Sequence, residues 1–199
     1  MIKARTKSAF TLIEISIAAA AISILVVIIS QFFTSNLKNY QINQLKLEMT
    51  DQQINAFSRL TPEIKAATSV ELCDKNQLTF YYYKGAIDSP AQKISYGLDQ
   101  NQQQISKSTI QPAVDQLGGI TYPADQSVDQ VVSTYVTNSD STPVFSYFDS
   151  TGAALATPCD VTKVRLVQID LRNQAIGRYA SREVESKTRV DIRNLKDNL

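Results

Sequence analysis

Residues 3–37 read KARTKSAFTLIEISIAAAAISILVVIISQFFTSNL. Three cations, Lys3, Arg5 and Lys7, precede Ala9, and Phe10-Thr-Leu-Ile-Glu14 then leads into a run with no charge between Glu14 and Lys38. Residues 15–37 are uncharged and satisfy the need of one membrane-spanning helix for about 20 mostly apolar residues. A secretory signal carries an apolar core of about 7–15 residues with its cut after that core. This run is longer, so the chain is expected to keep it as an anchor. Glu14 stands out within it. A carboxylate at the centre of a membrane helix costs about 2.5–3.5 kcal/mol on insertion scales, less near an end, and such groups are paired or functional by default.

Ser8-Ala-Phe-Thr-Leu-Ile-Glu14 resembles the processing site of type IV prepilins and prepilin-like proteins. The resemblance implies cleavage between Ala9 and Phe10 by a prepilin peptidase and methylation of the new amino terminus at Phe10. The family usually has Gly before the cut, where this chain has the small residue Ala9. In the family, the carboxylate corresponding to Glu14 is taken to meet the amino terminus of a neighbouring subunit during assembly. The residues alone leave a second possibility, that Glu14 bonds only the first-turn amides and the helix dipole of its own chain. The presence of Glu14 argues against a tip subunit lacking this acid. Three leader cations predict a cytoplasmic amino terminus in the inner membrane, with one span and everything beyond about residue 37 on the far, disulfide-permissive side.

Beyond the anchor, Ile42, Leu45, Met49, Phe57, Leu60 and Ile64 follow steps of three and four, with Gln53 filling the missing turn. That spacing forms one helix face. Lys46, Asp51 and Arg59 fall elsewhere. Neither Pro nor Gly occurs before Pro62, so one helix is expected over residues 10–65, roughly 80 Å long at 1.5 Å per residue. Pro62 lies in its last turn or breaks it. The second half is expected to pack on its own domain, the alternative being a free coiled-coil stalk. The organisation read is a cleaved leader over 1–9, a transmembrane or filament-core helix over 10–37, an amphipathic second half over 38–66 and a β-rich globular domain over 67–199.

After Ala67 short alternating runs predict antiparallel strands. Residues 70–73 and 78–84 flank Asp74-Lys-Asn-Gln77 as one hairpin, and residues 93–98 and 104–108 flank residues 99–103 as another. Val144-Phe-Ser-Tyr-Phe148 is a strand with a turn at Asp149-Ser-Thr-Gly152. Residues 164–171 form the next strand and Arg189-Val-Asp-Ile-Arg193 the last. Residues 111–142, rich in Gln, Ser, Thr and Asp, read as a long surface excursion with a short helix over 127–136. The fold class is α+β: a long amino-terminal helix packed on a mainly antiparallel sheet. The late pattern at 144–149, 164–171 and 188–195 looks like the J-type minor pseudopilins of type II secretion.

Composition excludes several chemistries. The chain of 199 residues has no histidine, so neither a Ser-His-Asp triad nor a Cys-His pair can form. Histidine-ligated zinc is impossible, and two cysteines cannot make a four-thiolate site. No nucleotide-binding glycine loop occurs. The formal net charge of +1 falls to −2 once Lys3, Arg5 and Lys7 are removed, which implies no bulk nucleic-acid partner. No cofactor, metal or catalytic set is expected. Cys73 and Cys159 are an even pair, and an exported domain favours one disulfide over two separate buried thiols. Tyr81, Tyr82 and Tyr83 suit cross-strand packing better than sugar adhesion, and Asp149 suits a turn better than calcium.

The expected function is structural: a minor pilin or pseudopilin assembled through its amino-terminal helix into a type IV pilus-like or type II secretion pseudopilus filament, at the surface or in the periplasm. Its expected partners are the prepilin peptidase, other pilins or pseudopilins, the inner-membrane assembly machinery and membrane lipid. The alternatives are a membrane-anchored extracytoplasmic adhesin or binding module and, last, an anchored enzyme.

Overall fold

A computed structural model of the chain describes residues 10–83, 90–114, 118–176 and 181–193. Helix α1 runs unbroken over Leu12–Lys65. The chain divides into two compact units, one reaching Gln44 and one beginning at Leu45.

In the first unit residues 10–41 are all exposed. The helix is long and apolar enough to cross a membrane. Three of its hydroxyls bond the helix itself: Ser16, Ser23 and Thr34 donate to the carbonyls of Leu12, Ala19 and Ser30 at 2.9, 2.8 and 2.8 Å. A polar side chain that bonds its own preceding turn leaves no unmet donor, the condition hydrocarbon imposes on any spanning segment.

The second unit holds the carboxyl-terminal part of α1 and the strands. Strands β1 (Ala67–Cys73), β2 (Gln77–Tyr82), β3 (Gln92–Asp99), β4 (Gln104–Ile110) and β7 (Val128–Thr134) form a five-stranded antiparallel sheet in the order β1-β2-β3-β4-β7. β5 (Ala113–Val114) and β6 (Ile120–Thr121) form a small ribbon. Strands β8 (Phe145–Phe148), β9 (Ala154–Leu155), β10 (Leu166–Ile176) and β11 (Ser181–Asp191) form a second antiparallel sheet in the order β11-β10-β8-β9. The fold is α+β, a long helix against mainly antiparallel sheets. Both expected hairpins are present, and Asp99 closes the second by accepting from the amides of Asn101 and Gln102 at 2.9 and 3.1 Å.

The predicted helix face is the one that packs. Met49, Gln53, Ala56, Leu60 and Ile64 are buried and Phe57 packs on the core. Leu60 and Ile64 meet Phe80, Ile94, Tyr96 and Ile105 from one sheet and Tyr147, Val167, Ile169 and Leu171 from the other in a single hydrophobic cluster. Pro62 does not break the helix. It lies on the exposed face next to the end, and Ser58, whose carbonyl it deprives of a helical donor, is exposed as well, which moderates the usual penalty.

Gln53 is 2% exposed, and a polar group at that depth needs partners. Its amide nitrogen donates to the Leu171 carbonyl, the Asn173 Oδ1 and the Val184 carbonyl at 3.1, 3.1 and 2.7 Å. Its Oε1 accepts from the Ser186 hydroxyl at 2.6 Å. Asn173 in turn donates to Ser133 Oγ and the Thr134 carbonyl at 2.9 and 2.7 Å. One helix side chain thus ties β10, β11 and, through Asn173, β7. Gln53→Met keeps the volume and orphans the Ser186 hydroxyl and the Asn173 oxygen. At about 1–3 kcal/mol per orphaned buried group, the urea midpoint of unfolding is expected to fall by an amount worth roughly 2–4 kcal/mol with an unchanged slope. An unchanged midpoint would show that the network contributes nothing net.

Two expectations are corrected. Residues 127–136 are not a helix: Val128–Thr134 is an edge strand paired with β4, and Val132, Ser133 and Val136 are buried. The β-branched residues Val128, Val131 and Val132 favour a strand there, and only Ala124–Gln126 forms a turn of 3-10 helix within the excursion. After β7 the chain crosses between sheets, with the Val136 amide donating to Gln103 and the Thr137 amide to Arg172 at 2.8 and 2.9 Å. The last strand is also longer than predicted, beginning at Ser181 rather than Arg189. Its polar residues are held by partners on β10: Arg172 with Glu185 at 3.0 Å and Lys187 with Asp170 at 3.1 Å.

Candidate functional site

Glu14 sits in the first turn of α1, where backbone N–H groups lack helical acceptors. Its Oε2 accepts from the Thr11 amide and from the Thr11 hydroxyl, both at 2.9 Å, while the Glu14 amide donates to Thr11 Oγ1 at 3.4 Å. This is a capping box, in which a Thr and a Glu three residues later satisfy each other's amides. The Thr-x-x-Glu spacing that signals it was present in the sequence and is now seen to have a local meaning. A carboxylate there also meets the positive end of the helix dipole. In the single chain Glu14 therefore has partners of its own in Thr11. Phe10 precedes the cap and is exposed. Ala9 and the leader lie outside the described residues, as do Asn194 and Leu195 at the end of the late pattern.

Cys73 and Cys159 form a disulfide with their Cα atoms 5.5 Å apart. The Cys159 amide also donates to the Cys73 carbonyl at 3.1 Å. The bridge pins the end of β1 to the segment leading into β10. It thereby links the two sheets across 86 residues of sequence. The segments that carry the J-type resemblance come together as well, since β8, β10 and β11 are neighbours in one sheet.

The tyrosines pack. Tyr82 lies against the core, and Tyr81 meets Tyr122 from the excursion with ring centroids 5.2 Å apart. The Tyr122 hydroxyl donates to the Ala91 carbonyl at 2.8 Å. Burial, then the hydrogen bond to Glu71, pushes the Tyr81 phenol up to about 12. Asp149 closes a turn, accepting from the Thr151 amide, the Thr151 hydroxyl and the Ala153 amide at 2.8, 2.6 and 3.0 Å. Those bonds, the Thr151 hydroxyl first, hold its carboxyl below the usual range.

Sequence reading passed over one polar group in the core. Tyr96 is fully buried and donates to Glu63 Oε2 at 2.6 Å, while Lys107 meets Glu63 Oε1 at 2.5 Å. Burial, with Glu63 beside it, holds the Tyr96 phenol well above its ordinary value. The signal was faint: Glu63 precedes Ile64 at the edge of the apolar stripe, and Tyr96 reads as an ordinary strand aromatic. This group fastens the last turn of α1 to β3 and β4. The excursion contributes Ser127 and Asp129 to an open polar groove of about 630 Å³, shared with Ser95, Ser106 and Ser108. Among the described residues no three metal-ligating side chains come together. No family model matches the chain, and no curated protein matches it.

Proposed function

We propose that the chain is a structural minor pilin or pseudopilin, cut between Ala9 and Phe10 by a prepilin peptidase and built into a pilus-like or pseudopilus filament through its amino-terminal helix. One observation carries this reading: the Phe10-Thr-Leu-Ile-Glu14 motif opens a helix whose apolar stretch is wholly exposed over residues 12–41 and in which Glu14 is the only charge before Lys38. An exposed apolar helix demands lipid or other helices around it. Lys3, Arg5 and Lys7 orient the chain with its amino terminus in the cytoplasm, and the disulfide suits an extracytoplasmic domain. The resemblance at 144–149, 164–171 and 188–195 points, within this class, to a J-type pseudopilin of type II secretion.

The test is the amino terminus of the protein taken from membranes. It is expected to be methylated Phe10, in material that copurifies with pilins. A start at Met1 without a polymer overturns the reading. Ala9→Trp is expected to leave the precursor at full length on a gel, because a peptidase that accepts only a small residue before the cut has no room for an indole. Normal processing of that variant would place the cut elsewhere.

A further inference from the structure

Strand β7 ends the five-stranded sheet, with β4 on one side and no strand on the other. From Ser133 on, that outer side is taken. Asn173 donates to Ser133 Oγ and to the Thr134 carbonyl at 2.9 and 2.7 Å. Over residues 128–131 no described residue takes the same place, and all four are exposed. Val128 and Val131 are 66% and 50% exposed. A free edge presents unpaired N–H and C=O groups, and proteins commonly blunt it with Lys, Pro, a bulge or a covering segment. Residues 128–131 contain no Lys and no Pro. The irregularity of this pairing falls beyond them, where the register skips Val132. The edge is built to accept one more strand.

The two faces of β7 say which strand fits. Asp129 pairs with Ser108 and Val131 with Ser106, and residues directly opposite share a face of the sheet. That face holds the open polar groove of about 630 Å³. Gly97 leaves room in it, since a Cβ there would meet nothing within 4 Å. Asp99 and Asp129 both line the groove, and none of its lining residues is Lys or Arg. Asp129 accepts from the Ser127 hydroxyl at 2.7 Å. The Ser127 bond, then Ser108, holds its carboxyl below the usual range, so it is ionised at neutral pH. Between Lys107 and Lys163 the chain has six aspartates and no Lys or Arg. Lys107 itself meets Glu63 of α1, and Lys93 on β3 is held by Glu71 at 2.7 Å. The unopposed carboxylates attract a cationic partner. On the other face Val128 and Gln130 carry no charge. Side chains of an extended strand alternate between faces, so the matching segment has Lys or Arg at every second position and apolar residues between.

We propose that the free edge of β7 at residues 128–131 takes an extended cationic segment of a partner polypeptide as a sixth strand, with its Lys or Arg side chains over the groove beside Asp129. This surface belongs to the carboxyl-terminal unit and does not depend on how the amino-terminal helix is assembled.

Peptide binding to the full chain in a non-ionic detergent tests it. The probe is fluorescein-labelled Lys-Val-Lys-Val-Lys-Val-Lys, followed by anisotropy. One control replaces each Lys by Glu. The other is N-methylated at every residue, which keeps the charges and removes the backbone donors. The Lys peptide is expected to bind saturably and at least about tenfold tighter than either control, since the pairing needs both the charge and the main-chain bonds. Asp129→Lys, an exposed change that leaves the near-ultraviolet circular dichroism unaltered, is expected to weaken binding at least about tenfold through like-charge contact. Amide hydrogen exchange within residues 128–132 is expected to slow when the peptide binds, because edge amides gain acceptors. Absence of saturable binding, equal binding of the N-methylated peptide, an unchanged affinity in Asp129→Lys, or protection elsewhere with none at residues 128–132 would each overturn the proposal.

Discussion

Glu14→Leu is expected to insert into the membrane as the parent does and to be lost from filaments. Insertion loses nothing, because a costly carboxylate is replaced by a side chain that hydrocarbon favours. On the proposed pairing with a neighbouring subunit, assembly loses the partner of a cation. Removing one member of a poorly solvated ion pair costs about 3–5 kcal/mol, so incorporation is expected to fall at least about a hundredfold at 1.4 kcal/mol per factor of ten. The capping box makes a sharper variant available. Glu14→Gln retains an oxygen that accepts from the Thr11 amide and hydroxyl, and Gln serves at this capping position, but it carries no charge. If Glu14 pairs with an amine on a neighbouring subunit, the Gln variant fails as Leu does. If Glu14 acts only as a cap, the Gln variant assembles normally and Thr11→Val is the damaging change. Quantifying each variant in sheared filaments against membranes separates the two, and normal incorporation of Glu14→Gln would remove the charge-pairing argument.

Loss of the disulfide is the second large effect expected. Closing a loop with a sequence separation of 86 residues removes denatured-state entropy worth about 4–5 kcal/mol. For a chain of this size that corresponds to a fall of roughly 10–15 °C in Tm. The double variant Cys73→Ser/Cys159→Ser, in detergent and followed by the near-ultraviolet circular dichroism of its tyrosines, is expected to show it. The carboxyl-terminal unit carries the damage, since Cys73 belongs to the core shared by the sheets and Cys159 packs against it. Serine at position 73 also places a hydroxyl where Cys73 is 1% exposed, so Cys73→Ala/Cys159→Ala serves as the apolar control. If both pairs melt within about 3 °C of the parent, the bridge closes a loop already ordered without it, and the entropy argument fails.

The strongest local signals were readable directly. The apolar run, the position of Glu14 and the three-four spacing from Ile42 to Ile64 can each be read from the residue list, and α1 buries the face that spacing names from Met49 on, while Ile42 and Leu45 are only half-buried. Gln53 was visible as a polar gap in that stripe, but its partners were not, because Leu171, Asn173, Val184 and Ser186 lie 118 to 133 residues away. The excursion was misread for a related reason. Its polar composition suggested a loop, yet Val128–Thr134 gains an edge of β4 to pair with, and a strand's backbone bonds come from that neighbour rather than from its own side chains. The amino-terminal half of β11 shows almost no apolar alternation. It extends because Glu185 and Lys187 meet Arg172 and Asp170 across the sheet.

The one-dimensional order of residues was enough for the long apolar helix, its packing face and the class of fold, since each depends on composition or on contacts within a few turns. The layout of two sheets, the reach of Cys73 to Cys159, the buried amide of Gln53 and the phenol of Tyr96 against Glu63 all needed the folded chain. Those features depend on groups far apart in sequence meeting at hydrogen-bond or disulfide distance. No local propensity encodes such meetings; they arise when a shared core brings the strands together.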